Sequence, residues 1–296
     1  MDLKKLTGSQ VALITPMNED GSIDWDSAAK LIEWQVTAGN DAIVAVGTTG
    51  EPQTLTHQEH KEFISYVVEK VDQRIPVIAG ASANSTTEAI ELSQHAQMCG
   101  ADATMNIVPY YTTPTQKGLI KHFTEIAKNA DIPQILYNVP SRTVTDLLPE
   151  TVAEIAVHKN IVGLKEATGD ISRVAKLRSL CGDDFLLLSG DDFTYCDFIL
   201  AGGDGCMSVT ANIAPATVSR VCHLAMENKA DEARKLQEIL MPVHQAVYLE
   251  PNPIPIKYAL FLKNRIKDSI RLPLTSLSDE HIPEMKRALE IIDGIE

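Results

Sequence analysis

Ile161-Val162-Gly163-Leu164-Lys165-Glu166-Ala167-Thr168-Gly169-Asp170 is a short apolar run with a lysine at its far end, followed at once by a glycine turn and a helical pattern. An apolar run of this length bounded by turn residues reads as a buried strand, although periodicity alone leaves a helical fragment open. Lysine is unusual in such a place. Burial disfavours an ammonium, and a neutral amine is a nucleophile towards carbonyl carbon. A lysine at a strand end can equally snorkel past it to water. Taken alone, the stretch leaves both readings of Lys165 open.

The same grammar recurs along the chain. Apolar segments at 11–14, 42–46, 76–79, 103–108, 134–137, 161–164, 185–188 and 205–209 are rich in β-branched and aliphatic residues, as in strands buried on both faces. Amphipathic helical patterns fit between and after them, at 26–37, 57–71, 86–98, 116–129, 149–156, 171–180, 193–200 and 215–227. Thr56-His57-Gln58-Glu59 and Ser85-Thr86-Thr87-Glu88 read as capping boxes, and Pro149 and Pro215 suit first-turn positions. Eight strand–helix alternations in a chain of 296 residues predict an α/β fold, a (β/α)8 TIM barrel. A doubly wound open sheet is the runner-up, without a Gly-x-Gly-x-x-Gly after the first strand to support it. Past residue 228 the pattern changes to helices at 230–247, 255–266 and 279–292, interrupted by the stiff Pro251-Asn252-Pro253-Ile254-Pro255. The expected organisation is a catalytic barrel over 1–228 and a small C-terminal helical region over 229–296.

Apolar residues make up 44% of the chain and charged residues 22%, ordinary values for a globular protein with a real core. The 26 basic against 40 acidic side chains give a net charge of −14, which argues against nucleic acid or an anionic membrane as partner. An anionic substrate then needs local devices such as a turn of backbone donors or a placed arginine. Five scattered cysteines with no Cys-x-x-Cys pair suggest neither a disulfide framework nor a zinc site. With no apolar leader segment and no apolar run near the roughly 18 residues of a membrane span, a cytoplasmic protein is expected.

In such a barrel the C-terminal ends of the strands form the active face. Those ends carry Gly47-Thr48-Thr49-Gly50-Glu51, Pro109-Tyr110-Tyr111, Tyr137-Asn138-Val139-Pro140-Ser141-Arg142, Lys165-Glu166, Ser189-Gly190-Asp191-Asp192 and Ser208-Val209-Thr210-Ala211-Asn212. Groups that donate, accept and carry protons converge on one rim, which favours the nucleophilic reading of Lys165. The Gly47–Glu51 turn can present backbone N–H groups to a carboxylate, though Gly-x-x-Gly alone is a weak signal. Tyr137 is either a core ring or a proton carrier, and Arg142 either a solvated charge or a bidentate carboxylate clamp. His57, Glu59 and His60 suggest metal ligands at first, but the spacing matches no known ligand motif and no second cluster stands out; no metal is expected. Ser189-Gly190-Asp191 lacks the Gly-x-Ser-x-Gly elbow of a serine hydrolase.

Together the Gly47–Glu51, Tyr137–Arg142 and Gly163–Glu166 motifs make nearly the whole chain resemble the class I, Schiff-base-forming pyruvate aldolases of the N-acetylneuraminate lyase family. Within that family, Thr48-Thr49 and Ser141-Arg142 look like the branch that condenses pyruvate with L-aspartate 4-semialdehyde to 4-hydroxy-tetrahydrodipicolinate, the first committed step of the diaminopimelate route to lysine. The sialate lyase branch usually has Ser-Thr in the first motif and lacks that arginine. The resemblance implies a lyase with Lys165 as imine-forming nucleophile and Tyr137, Thr49 and Tyr111 as proton relay, Tyr111 being donated across a subunit interface. Thr48 and Thr49 would hold the pyruvate carboxylate and Arg142 that of the semialdehyde, with Gly190 lining the pocket and the Met207 carbonyl near the pyruvyl group. No cofactor is implied, and a homotetramer built as a dimer of dimers is. Lysine-inhibited members bind lysine at a dimer interface, at positions that match His60, Asn84, Glu88 and Tyr110. The departure is Pro52-Gln53, where such relatives often have small residues, so any inhibition is expected to be weaker. The competing readings are another pyruvate-dependent aldolase, such as a sialate or keto-deoxy sugar acid lyase, and a catalytically silent barrel.

Overall fold

The structure, a computed structural model, describes residues 3–296. Eight parallel strands close on themselves in sequence order: β1 (Gly8–Ala12), β2 (Ala42–Ala45), β3 (Val77–Gly80), β4 (Ala103–Ile107), β5 (Gln134–Asn138), β6 (Ile161–Glu166), β7 (Leu186–Ser189) and β8 (Gly205–Ser208). Closure comes from β1 pairing with β8, Gly8 opposite Gly205 through Val11 opposite Ser208. Every strand residue is buried, as a parallel sheet covered by helices outside and side chains inside requires. The (β/α)8 barrel expected from the alternation is the fold observed.

Around it run α1 (Trp25–Thr37), α2 (His57–Val71), α3 (Thr86–Cys99), α4 (Gln116–Asn129), the single turn α5 (Pro140–Thr143), α6 (Pro149–Ala156), α7 (Ser172–Cys181), α8 (Tyr195–Leu200) and α9 (Pro215–Met226). The Thr56 capping box is complete, with Thr56 Oγ1 accepting from Glu59 N and Glu59 returning to Thr56 N. At α3 only the Ser85 half forms, Glu88 N donating to its hydroxyl. Pro149 and Pro215 open α6 and α9 as expected.

The first strand starts three residues earlier than its apolar pattern. Gly8, Ser9 and Gln10 are buried without being apolar because most of their polar groups are spent internally, although Gln10 Oε1 has no partner among the described residues. Ser9 N donates to the Asp41 carboxylate at 2.7 Å, Ser9 Oγ to Asn40 at 3.0 Å, and Gln10 Nε2 to the Leu6 carbonyl at 2.6 Å. A strand start held by such internal hydrogen bonds is invisible to hydropathy. At the other extreme, β6 continues past the apolar run and contains Lys165 and Glu166 themselves.

Past the barrel lie α10 (Ala230–Ala246), α11 (Ile254–Leu262) and α12 (Ile282–Asp293). α11 stops earlier than its apolar pattern, short of Asn264, which takes φ +55°. A 3-10 turn at Asp279–His281 precedes α12, and Pro283 sits in the first turn of that helix. Leu240, Val243, Ile256, Leu260 and Met285 share one apolar cluster with Leu31, Val67 and Val218 of α1, α2 and α9. We propose that 1–228 and 229–296 are a barrel and an appended helical region that share a core.

Candidate active site

Side chains alternate across a strand, so Tyr137 and Lys165 face one side and Asn138 and Glu166 the other. Register fixes which side. Tyr137 lies opposite Lys165 and Asn138 opposite Glu166. Tyr137 belongs to the barrel-interior cluster with Val44, Ile78, Leu188 and Met207, so Lys165 points into the barrel mouth above an apolar floor. Lys165 is 5% exposed, and its Nζ lies 4.3 Å from the centroid of the Tyr137 ring. Among the described residues, Lys165 Nζ makes no hydrogen bond or ion pair.

The carboxylate next in sequence is held away from that amine. Glu166 pairs with Arg173 Nε at 2.9 Å and accepts from Asn138 Nδ2 at 3.2 Å and from Thr168 N at 3.0 Å. Burial pushes the Glu166 carboxyl up, against the pull of Arg173. Arg173 also pairs with Asp146 at 2.9 Å, completing a buried network behind the strand rather than in the mouth.

Gly190 follows β7 and bonds Glu166 O through its own N–H at 2.7 Å. A Cβ here would stand 2.7 Å from Lys165 Cε and 2.9 Å from the Ala167 Cβ, so glycine is what leaves room for the lysine stem. Gly190→Ala is therefore expected to slow formation of any lysine adduct by on the order of 10–100-fold, since small displacements of a reacting atom are costly. Time-resolved borohydride trapping reads that rate, and an unchanged rate would remove Gly190 from the account.

The opposite wall is the turn after β2. Val46, a β-branched residue, is held at φ +55°, and Gly80 makes this possible: a Cβ at Gly80 would fall 2.1 Å from Val46 O. The chain then enters a 3-10 turn at Thr48–Gly50, in which Gly50 N and Glu51 N are the first to find carbonyls, at Gly47 and Thr48. The N–H groups of Thr48 and Thr49 precede them and are the donors such a turn leaves for an anion. Thr49 is 1% exposed and Thr48 half-buried.

Three further contacts brace this turn. Thr15 Oγ1 donates to Gly50 O at 2.8 Å, Asn252 Nδ2 donates to Thr49 Oγ1 at 3.0 Å, and Lys257 Nζ meets Glu51 Oε1 at 2.6 Å. Arg142, exposed in α5, donates through Nη2 to Asn252 O at 3.2 Å. The Lys257–Glu51 pair is almost wholly buried, at 4% and 0% side-chain exposure. Burial pulls the Lys257 ammonium down and the Glu51 carboxylate opposes it.

Sequence reading passed over Asn252 and Lys257. Lys257 carries the same signal that singled out Lys165, a lysine inside an apolar run, here Ile254-Pro255-Ile256-Lys257-Tyr258-Ala259-Leu260. Asp192 was quoted only as part of the rim. Its carboxylate accepts from Ser208 Oγ at 2.5 Å, Val209 N at 3.0 Å and Tyr248 Oη at 3.2 Å, joining β7 to β8 beside Met207. Burial, with the Asp192 charge beside it, holds the Tyr248 hydroxyl well above the usual phenol range.

A barrel with an uncommitted lysine on β6, a tyrosine across from it on β5 and a donor turn after β2 matches one set of known proteins along its whole length. The sequence profile of the dihydrodipicolinate synthetase family matches residues 5–292. The chain belongs to that family. A 4-hydroxy-tetrahydrodipicolinate synthase of Saccharophagus degradans is 52% identical over 284 residues, covering 96% of this chain and 98% of the relative. The chloride-inhibited dihydrodipicolinate synthase of Acinetobacter baumannii, solved with pyruvate, superposes with a TM-score of 0.95 at 44% identity, over 97% of this chain and 99% of that one. The enzyme of Cyanidioschyzon merolae, solved with lysine bound, gives 0.94 at 35% identity, over 98% and 99%.

Two expectations for this family member concern residues outside the barrel mouth. Tyr111 stands 92% exposed at φ +70°, so the single chain does not fold it onto Lys165. His60 lies in α2 and Glu88 in the first turn of α3, while Asn84 and Tyr110 lie in the loops after β3 and β4. Asn84 Nδ2 reaches Tyr110 O at 3.5 Å, and Glu88 pairs with His57 Nε2 at 3.3 Å, a partner that sequence reading did not supply. His60 Nε2 is bonded to Gly80 O at 2.7 Å, and burial pulls its imidazole down to about 4. Glu59 turns away from both histidines to a bidentate pairing with Arg271, at 2.5 and 2.8 Å. The three residues that suggested metal ligands thus serve three separate contacts.

Proposed function

We propose that this member of the dihydrodipicolinate synthetase family is a lyase of the class I aldolase type that condenses pyruvate with L-aspartate 4-semialdehyde to 4-hydroxy-tetrahydrodipicolinate, the first committed step of the diaminopimelate route to lysine. One observation carries the mechanistic reading: among the described residues Lys165 is buried in the barrel mouth without an ionic partner, while the neighbouring carboxylates are committed elsewhere.

Lys165 Nζ attacks the pyruvate ketone, and loss of water gives the imine. The protonated imine is an electron sink, so a methyl proton leaves and an enamine forms without a metal or organic cofactor. Tyr137 and Thr49 carry protons, with Tyr111 supplied by a neighbouring subunit in a dimer of dimers. Thr48 and Thr49 N–H groups hold the pyruvate carboxylate and Met207 O lies by the pyruvyl group. The enamine carbon attacks the aldehyde of the second substrate. Its amine then attacks the imine carbon, closes the ring and releases Lys165.

Arg142 is the clamp for the semialdehyde carboxylate. One guanidinium N–H is engaged with Asn252 O, which leaves the rest of the fork for a bidentate contact. Arg142→Ala is expected to lower kcat/KM for the semialdehyde by on the order of 100-fold, mostly through KM, with pyruvate adduct formation intact. Steady-state turnover of aspartate semialdehyde, run beside sialate cleavage, tests the substrate assignment. Preferential sialate cleavage, or indifference to Arg142→Ala, would contradict it.

An exposed Glu88–His57 pair beside Asn84 and Tyr110 supports a lysine site with His60 behind it, weakened by Pro52-Gln53. Titrating L-lysine against the initial rate reads this directly. Five free cysteines, and the absence among the described residues of any helix long and apolar enough to cross a membrane, support a cytoplasmic placement.

A further inference from the structure

We propose that Asn252 is a positioning residue that sets the direction of the Thr49 hydroxyl and holds Arg142, so that the proton relay and the carboxylate clamp move as one unit. The inference rests on the imine reading of Lys165 and adds a residue to it.

Asn252 lies 203 residues from Thr49 in sequence and donates Nδ2–H to its Oγ1 at 3.0 Å. The same residue's backbone carbonyl accepts from Arg142 Nη2 at 3.2 Å. It is 7% exposed, and its Oδ1 has no partner among the described residues, so the donor end carries the side-chain contact. The segment is fixed from both flanks. Pro251 and Pro253 restrict the backbone, Lys257 N bonds Pro253 O at 3.0 Å, and the Lys257–Glu51 pair pins the start of α11 to the turn that contains Thr49.

A hydroxyl that accepts the amide hydrogen has its own hydrogen directed elsewhere. Thr49 therefore presents its proton away from Asn252 and keeps it for the relay. A carboxamide suits this task because it donates without titrating at neutral pH. An aspartate in the same space would accept the Thr49 hydrogen and reverse the bond.

The test is exchange of the pyruvate methyl protons with D2O, followed by NMR without the second substrate, in Asn252→Ala, Asn252→Asp, Thr49→Val and the Thr49→Val/Asn252→Ala double variant. Asn252→Ala should slow exchange about tenfold, the worth of one buried hydrogen bond in a rate. Asn252→Asp, which fills the same space, should be no faster than Asn252→Ala. The double variant should match Thr49→Val within about twofold, because a residue acting through Thr49 adds nothing once Thr49 is gone. The semialdehyde KM should stay near the parent's in Asn252→Ala, because Arg142 bonds the backbone carbonyl of residue 252, which the variant keeps. Exchange within about twofold of the parent in Asn252→Ala, recovery in Asn252→Asp, or additive loss in the double variant would overturn the proposal. Borohydride adduct formation on Lys165, measured alongside, separates the two claims. With the adduct present, those outcomes refute Asn252 alone; with no adduct in the parent protein, the imine reading falls and this one with it.

Discussion

Lys165→Ala is expected to abolish turnover, lowering kcat by on the order of 10⁴–10⁶-fold, with the protein still folded. The size of the effect follows from what is removed. Without the amine there is no covalent electron sink, and the methyl proton of free pyruvate is not lost at a useful rate. The proposed carboxylate cradle at Thr48 and Thr49 is untouched, so the variant should still bind pyruvate. Stability should change little. Lys165 makes no ion pair among the described residues, and its stem lies against Gly190 and the Tyr137 ring, so its removal strands no buried charge. Steady-state rates and a melting curve on the same preparation check both halves. A variant that melts normally and retains a tenth of parent activity would contradict the assignment.

The second large effect is on folding rather than chemistry. Lys257→Met leaves the Glu51 carboxylate buried without its cation, with both side chains 4% exposed or less. Breaking one side of such a pair costs about 3–5 kcal/mol. At roughly 2–4 °C per kcal/mol for a large domain, the melting temperature should fall by about 6–20 °C. Adding Glu51→Gln removes the stranded charge and should recover more than half of the loss. If Lys257→Met and the double variant melt together, the pair is not what anchors α11 to the rim. Activity should fall further than stability explains, because Glu51 closes the turn that presents Thr48 and Thr49.

The barrel was legible because its signals are local. Helices α2, α4 and α6 begin and end where capping residues and apolar spacing put them, and α9 begins at its proline. β1 starts earlier than its apolar pattern because Ser9 and the Gln10 amide N–H find hydrogen-bond partners inside the fold, which no hydropathy pattern records. Lys165 could be singled out from its own strand, and its partners from the other strand ends. Asn252 and Lys257 could not, because their contacts with Thr49 and Glu51 span 203 and 206 residues. The region past 228 reads in sequence as helices with no chemistry, yet it braces the carboxylate turn from behind. Tyr111 is the converse case: its motif is plain, but it stands exposed in the single chain, and the relay role proposed for it would need a second chain.

The central claim is that Lys165 forms an imine with pyruvate, and Lys257 is its natural rival as the other buried lysine near the rim. Lys257 is tied to Glu51 at 2.6 Å, whereas among the described residues Lys165 Nζ meets the Tyr137 ring and no ionic partner. Incubation with pyruvate and borohydride, followed by peptide mass mapping, decides between them. The account predicts one reduced pyruvate adduct, on the peptide containing Lys165; an adduct on Lys257 or another lysine, or none at all, would contradict it.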